Sequence, residues 1–313
     1  MTHPKLQGLV AATHTPFKDD GSLNLPVVEK QAEHLVRNGV SAAFINGTTG
    51  ESHSLTLDER LTLADRWAAV TRNTPLKLIV HVGANALKDA ATLAAQAEKL
   101  HADAISALAP SYFKPRTIDT LIACCQEITR AAPSTPFYYY DIPSFPGVAL
   151  SMPDFLAAAR LSSPKSAADK LPTLAGVKFS NPDLMAYQKC LQTNNNHYDI
   201  PWGTDEYLLA ALALGAAGGV GSSYNFAAPI YTRLITAFKN NDLETARTEQ
   251  YRSVQLIDLL ASHGYMPAAK ATMSFLGIDV GPARLPHPRL TPDQTTQLRA
   301  SLDQLGFFDW LRL

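Results

Sequence analysis

Cysteine is scarce in this 313-residue chain: Cys124, Cys125 and Cys190 are the only three. The number is odd, two are adjacent and no CxxC pair occurs. That is poor material for a disulfide framework or a thiolate zinc site, and it fits a reducing compartment. The nine histidines form no HExxH pattern, so nothing points to a metal. An excess of one charge is also missing. Lys and Arg total 27 against 28 Asp and Glu, for a net charge of -1, and no block of like charges stands out. This argues against nucleic acid or an anionic membrane surface as a partner. No uninterrupted apolar run reaches the ~20 residues of a membrane helix. The opening stretch MTHPKLQGLVAATHTPF has no basic leader followed by a long apolar run, so no signal peptide is expected. The default expectation is a soluble, cytoplasmic protein.

What the chain does contain is apolar material in a regular order. Hydrophobic residues make up 46% and charged residues 18%, enough to build a large core and too apolar for disorder. Short β-rich apolar runs alternate with longer amphipathic stretches. Strands are expected at residues 6–13, 40–46, 76–82, 104–109, 136–142 and 175–180, with a weak one at 199–203 and a Gly-rich one at 217–222. Helices are expected between them, one opened by Thr56 with Glu59 three residues on as a capping box, and another running from Thr204 through residue 214. The polar stretch 162–172 reads as a loop. About eight strand–helix units in strict order predict an α/β fold, a closed parallel (β/α)₈ TIM barrel, in preference to a doubly wound sheet. The division expected is a barrel over residues 1–240 and a helical extension over 241–313, with helices near 242–262, 267–276 and 292–305.

In such a barrel, chemistry sits at the C-terminal ends of the strands. That rule selects Thr48, Thr49, His81, Tyr140, Lys178, Asp205, Glu206 and the run 221–225. Lys178 lies late in the strand AGVKFS. A lysine facing into the barrel loses hydration, its pKa falls, and the neutral amine can attack a ketone. A strand-end lysine that snorkels to solvent reads equally well from the residue alone. Alternation puts Tyr138 and Tyr140 on one face; a phenol beside an imine-forming lysine could relay protons, although aromatics are ordinary strand residues. In NGTTGE, two hydroxyls and successive N–H groups near a helix start make a cradle for a carboxylate; a tight turn with helix caps reads as well. No GKS or GKT follows, so the loop is not a Walker loop. Asp205 and Glu206 open a helix, where the dipole favours acids in any case; their functional reading is hydrogen bonding to a polyol tail. His81 is read as a hydrogen-bonded core histidine, because no partner stands at metal-ligand spacing.

Taken together, GLVAATHTPF, FINGTTGES, HVGANALKDA, APSYFKP, PFYYYDIPSFPGV, GVKFSNPDL, GTDEYLLAALALGAAGGVGSSYN and GPARLP closely resemble the N-acetylneuraminate lyase branch of the dihydrodipicolinate synthase-like aldolases. The ordered set covers nearly the whole chain, and GTTGE alone points only to the superfamily. The resemblance implies a Schiff-base aldolase that cleaves a sialic acid to pyruvate and N-acetylmannosamine without a cofactor. It implies Lys178 as the imine-forming lysine, Tyr140 as the residue assisting proton transfer, and Thr48 and Thr49 as the pair holding the keto-acid carboxylate. Ser180, Gly203, Asp205, Glu206, Gly221 and Ser222 match positions that contact the hydroxylated chain. Tyr112 matches an aromatic near a subunit interface, and a homotetramer is implied. Asp141 stands where Asn or His is usual and Ser180 where Thr is frequent; Ser111 and Pro146 are seldom these residues in the branch. The departures bear on which sugar acid is preferred.

Two rivals stand beside this reading. Dihydrodipicolinate synthase typically carries an Arg shortly after the tyrosine motif, and residues 144–150 contain no basic residue. An aldolase for a simpler 2-keto-3-deoxy sugar acid gives the Asp205–Glu206 pair no tail to bind. A barrel that senses a sugar acid without turning it over gives Lys178, Tyr140 and the threonines no reason to stand together.

Overall fold

The computed structural model describes residues 5–160 and 170–312. The strands are β1 (Gly8–Ala12), β2 (Ala42–Ile45), β3 (Lys77–His81), β4 (Ala104–Ala107), β5 (Phe137–Asp141), β6 (Leu174–Phe179) and β7 (Gly218–Gly221). The helices that follow them are α1 (Pro26–Arg37), α2 (Leu57–Thr71), α3 (Leu87–Lys99), α4 (Ile118–Thr129), α5 (Met152–Ala159), α6 (Leu184–Gln192), α7 (Leu208–Leu214) and α8 (Tyr224–Lys239). Four more close the chain: α9 (Leu243–Ser262), α10 (Tyr265–Phe275), α11 (Pro292–Leu305) and α12 (Phe307–Trp310). Most of the expected polar loop, residues 162–169, lies outside the described residues.

All seven strands pair in parallel in the order β6-β5-β4-β3-β2-β1-β7. Segment 199–203 spans the gap between β6 and β7. On one side Val177 and Phe179 donate to the carbonyls of Asp199 and Pro201; on the other Val220 donates to Trp202 O at 2.7 Å. It is not a regular strand, as the weak pattern of those residues had suggested it would be. Pro201 stands at its centre and has no N–H to give a ladder. The result is a nearly closed TIM barrel of seven regular strands with an irregular eighth position.

Strands buried on both faces read as continuous apolar runs, and here the two faces feed two cores. Val10, Ala42, Phe44, Ile79, Tyr138, Tyr140 and Val220 fill the barrel interior. Leu9, Ala43, Ile45, Tyr139, Val177 and Phe179 pack outward against the helices. The same outer core runs on into Leu256, Ala268, Met273, Leu298 and Phe307 of the C-terminal helices.

Two local departures from sequence expectation have physical causes. The expected helix from Thr204 breaks into a 3₁₀ turn, Asp205–Tyr207, followed by α7. The side chain of Gln250 inserts at the break: its amide donates to Asp205 O at 3.2 Å, and its carbonyl accepts from Leu209 N at 2.7 Å. Those two backbone groups would have bonded to each other in a continuous helix. The second departure is a bulge in β6. Phe137 pairs with Leu174 but Tyr138 pairs with Gly176, so one extra residue enters the strand. Simple alternation would put Lys178 on the outward face with Leu174. The extra residue reverses the parity, and Lys178 pairs with inward-facing Tyr140. The predicted capping box is present: Glu59 N donates to Thr56 Oγ1, and Thr56 N donates to Glu59 Oε2 at 2.9 Å.

Candidate active site

A cavity of about 470 Å³ opens at the C-terminal ends of the strands. Thr48, Thr49, Tyr140, Lys178, Ser180, Gly203, Asp205, Glu206, Gly221 and Ser222 all line it. Ten residues spread over 175 positions of sequence therefore meet in one cleft, because each stands in the last residues of a strand or in the loop after it.

Lys178 stands on the floor, 4% exposed. Its Nζ lies 4.0 Å from the ring centroids of both Phe44 and Tyr140. Burial lowers its pKa from the ordinary lysine value; the Tyr140 phenol and the Asp205 carboxylate pull the other way. The amine is thus easier to deprotonate than a surface lysine, which a nucleophile requires. The phenol of Tyr140 lies 3.4 Å from Thr48 Oγ1, and the latter sits in the turn between two left-handed residues, Asn46 (φ 58) and Glu51 (φ 58). The Thr48 hydroxyl, the phenol and the amine are therefore neighbours in the cavity.

Two acids, Asp205 and Glu206, line the same cavity. Asp205 Oδ2 accepts from Ser223 N at 2.9 Å and from Ser223 Oγ, which joins Tyr231 Oη and Ser253 Oγ in a buried chain. Burial raises the Asp205 carboxyl, and the Ser223 hydrogen bonds and Lys178 oppose it. Glu206 is raised by burial and by Asp205. Two of the selected glycines have a packing reason beside any binding role. A Cβ on Gly221 would lie 1.8 Å from Asp205 Oδ1, and one on Gly203 would lie 1.9 Å from Ser180 Oγ. No side chain larger than hydrogen leaves both neighbours in place.

Other selected residues lie elsewhere. His81 is wholly buried beneath the cavity: Nδ1 meets Asn46 O at 3.0 Å, Leu108 N donates to Nε2, and burial holds the ring neutral. Its ring stands edge-on to Tyr140 at 6.0 Å, so it supports the site from below, as a core histidine should. Asn225 braces the wall, with its amide donating to Ala12 O and Ser222 O. Tyr112 is 80% exposed and stacks edge-on with Phe113, outside the cavity lining.

Asp141 does not line the cavity either, contrary to its expected part in substrate choice. It follows Tyr140 on the strand and so takes the opposite face. There it is buried, accepts from Asn181 Nδ2 at 3.2 Å, and is pushed up to about 6 by burial. A carboxyl whose folded pKa lies above its unfolded value costs stability once pH exceeds the unfolded value, and the cost is complete above the folded one. Asp141→Asn keeps the acceptor for Asn181. It is expected to raise stability at pH 7.5 by up to about 3 kcal/mol, with the gain vanishing near pH 4. Melting curves of the two proteins at both pH values check this; an equal gain at pH 4 would contradict the cause.

Several lining residues had no sequence signal. Tyr265 donates to or accepts from Ser222 Oγ at 2.7 Å, and Ile257, Met266 and His287 join it from the C-terminal region. Nothing local ties those residues to the barrel mouth. Phe44 was legible in principle, since it alternates inward with Ala42 on β2. Among the described residues no group of three His, Cys, Asp or Glu side chains is placed to hold a metal ion, and no helix is long and apolar enough to cross a membrane.

Known proteins resemble the chain along nearly its whole length. The sequence model of the dihydrodipicolinate synthetase family matches residues 5–305. The N-acetylneuraminate lyase of Rattus norvegicus is 38% identical over 310 residues, covering 98% of this chain and 94% of the relative. Among solved structures, the Proteus mirabilis N-acetylneuraminate lyase superimposes with a TM-score of 0.91 at 39% identity, over 97% of this chain and 100% of the other. The N-acetylneuraminate lyase (sialic acid aldolase) from Aliivibrio salmonicida gives a TM-score of 0.91 at 36% identity, over 97% and 98%.

Proposed function

Because this chain belongs to the dihydrodipicolinate synthetase family, we propose that it is a class I aldolase, a carbon–carbon lyase that reversibly cleaves N-acetylneuraminate to N-acetylmannosamine and pyruvate. The observation that carries the reading is the buried amine of Lys178 at the base of the cavity, between the Tyr140 ring and Phe44. Two threonine hydroxyls and two carboxyls line the same cavity. The names of the relatives support the same reading.

In this mechanism the Lys178 amine adds to the 2-keto carbon, water leaves, and the protonated imine becomes the electron sink. No metal or organic cofactor is needed for that step. Thr48 and Thr49 hold the keto-acid carboxylate. Tyr140, within reach of Thr48, relays the proton of the substrate hydroxyl toward the carbon that becomes the enamine terminus, giving up its own as it receives that one, while the adjacent carbon–carbon bond breaks and its electron pair moves into the enamine of pyruvate. N-acetylmannosamine departs as the aldehyde. Protonation of the enamine carbon and hydrolysis of the imine release pyruvate and restore Lys178. Ser180, Asp205, Glu206 and Ser222 face the hydroxylated tail, while Gly203 and Gly221 let backbone approach it. Raised carboxyls that retain acceptor oxygens suit a polyol better than a short apolar acid.

The proposed setting is the cytoplasm, and the proposed assembly is a homotetramer. Tyr112 and Phe113, exposed at 80% and 85% in the single chain, would be covered by a neighbouring subunit. The division into a barrel over residues 1–240 and an extension over 241–313 is likewise a proposal; residues of the extension enter the cavity all the same.

Incubation with pyruvate and borohydride, followed by an assay of pyruvate release from N-acetylneuraminate, tests the function. A reduced adduct on Lys178 and cleavage of the sugar acid are expected. An adduct without cleavage would move the substrate to another 2-keto-3-deoxy sugar acid, and no adduct would remove the aldolase reading.

A further inference from the structure

We infer that Lys270 is a positioning residue for the carboxylate-binding hydroxyls: through a buried ion pair with Glu51, the C-terminal helices hold the Thr48–Thr49 turn in its binding shape. The inference rests on the function proposed above.

Lys270, on α10, is a second buried lysine that the reaction does not use. Its Nζ lies 2.8 Å from Glu51 Oε1, with side-chain exposures of 1% and 0%. The same ammonium donates to Thr15 O and Pro282 O, each at 2.9 Å. Three donors meet three acceptors, so Lys270 has no proton free for chemistry and is fixed in place. The second oxygen of Glu51 accepts from Arg284 N at 2.7 Å.

Glu51 is an unusual place for such effort. It is a non-glycine residue with φ 58 and ψ 33, in the left-handed region. That conformation is strained for a residue with a Cβ and persists only where its surroundings impose it. It closes the turn that carries Thr48 and Thr49: Glu51 N donates to Thr48 O at 3.0 Å. The preceding carbonyl, Gly50 O, accepts from Thr15 Oγ1 at 2.7 Å, and Thr15 is itself bound through its own carbonyl to Lys270. One ammonium therefore ties both layers of the turn.

Arg284, in the GPARLP stretch, extends the clamp. Its side chain donates to Gly21 O, to Ser54 O at 2.8 Å and to both oxygens of Glu59. Glu59 is the capping-box residue of α2, so the start of that helix is held as well. Both cations lie over the Phe17 ring, at 4.4 Å and 4.2 Å.

Stability alone is a weak reason for this arrangement. A buried ion pair often gains nothing over an apolar pair of the same volume, because desolvation offsets the attraction. Its better-attested use is to specify one geometry. The geometry specified here is a strained turn whose hydroxyls reach the reacting end of the cavity, where Thr48 Oγ1 stands 3.4 Å from the Tyr140 phenol.

The test is the double variant Lys270→Met with Glu51→Gln, which removes both charges and leaves neither orphaned. Borohydride trapping at Lys178 is titrated with pyruvate, and in parallel with acetone, a ketone without a carboxylate. Melting curves confirm folding. The expected result is a folded variant whose half-saturating pyruvate concentration rises about tenfold or more, the equivalent of about 1.4 kcal/mol, while acetone trapping changes by less than about twofold. Unchanged half-saturation for pyruvate overturns the inference. So does an equal loss for both ketones, which would place the effect on Lys178 instead of the turn. If the double variant does not fold, Arg284→Ala, whose side chain is 20% exposed, is expected to shift pyruvate alone in the same direction; no shift overturns the inference. Failure of the unaltered protein to trap pyruvate would overturn the proposed function instead.

Discussion

Lys178→Ala is expected to abolish the borohydride-trapped pyruvate adduct and to lower kcat/KM for N-acetylneuraminate on the order of 10⁵-fold, the scale seen when a covalent nucleophile is removed outright. No nearby group can substitute. Among the described residues the other buried lysine, Lys270, is bound to three oxygens. The variant is expected to fold, because the side chain lost is a desolvated amine against two rings, and the carboxyl that feels its charge, Asp205, keeps its hydrogen bonds from Ser223. Adduct mass and turnover check the prediction together, and near-normal turnover would refute the assignment. In the unaltered protein, the rate of trapping against pH reports the amine itself. Burial lowers Lys178 from 10.5, so trapping is expected to hold up to a lower pH than a surface lysine allows before protonation stops it.

Tyr140→Phe is expected to separate imine formation from cleavage. The ring that stands 4.0 Å from Lys178 Nζ remains, as does its edge contact with His81. Only the hydroxyl near Thr48 goes. Loss of a positioned general acid–base costs about 10²–10⁴-fold, so kcat for cleavage falls by that factor. Adduct formation with pyruvate, which needs no carbon–carbon bond broken, persists at a reduced rate. Single-turnover trapping and steady-state kcat on the same preparation measure the split. Equal losses in both would mean that the phenol serves only to bind.

Much of this site was open to reading from residues alone. Thr48, Thr49, Tyr140, Lys178, Asp205 and Ser222 were each selected because they follow strand-like runs, and they line one cavity. Tyr140 faced inward for the reason alternation predicts. Asp141 was expected to help choose the substrate and instead faces the helices, although the same alternation, applied one residue further, would have said so. The C-terminal contributors, Tyr265 and His287 in the cavity and Lys270 and Arg284 behind it, had no local mark. Tyr265 meets Ser222, Lys270 meets Thr15 and Glu51, and Arg284 meets Glu59, each more than 40 positions away in the chain, and spacing carries no information about such pairs.

By itself the sequence determined the order of strands and helices, the capped start of α2 and the residues that arrive at strand ends, because period, caps and breakers act over a few neighbours. Only the tertiary structure decided which way Lys178 points. Counted from Leu174 by simple alternation, it belongs outside the barrel. The bulge opposite Phe137 and Tyr138, formed where Gly176 meets Asp199 across the closing gap, turns it inward. That contact joins segments brought together only when the barrel closes. The nucleophile's direction is therefore a property of the closed sheet, and no window of neighbouring residues encodes it.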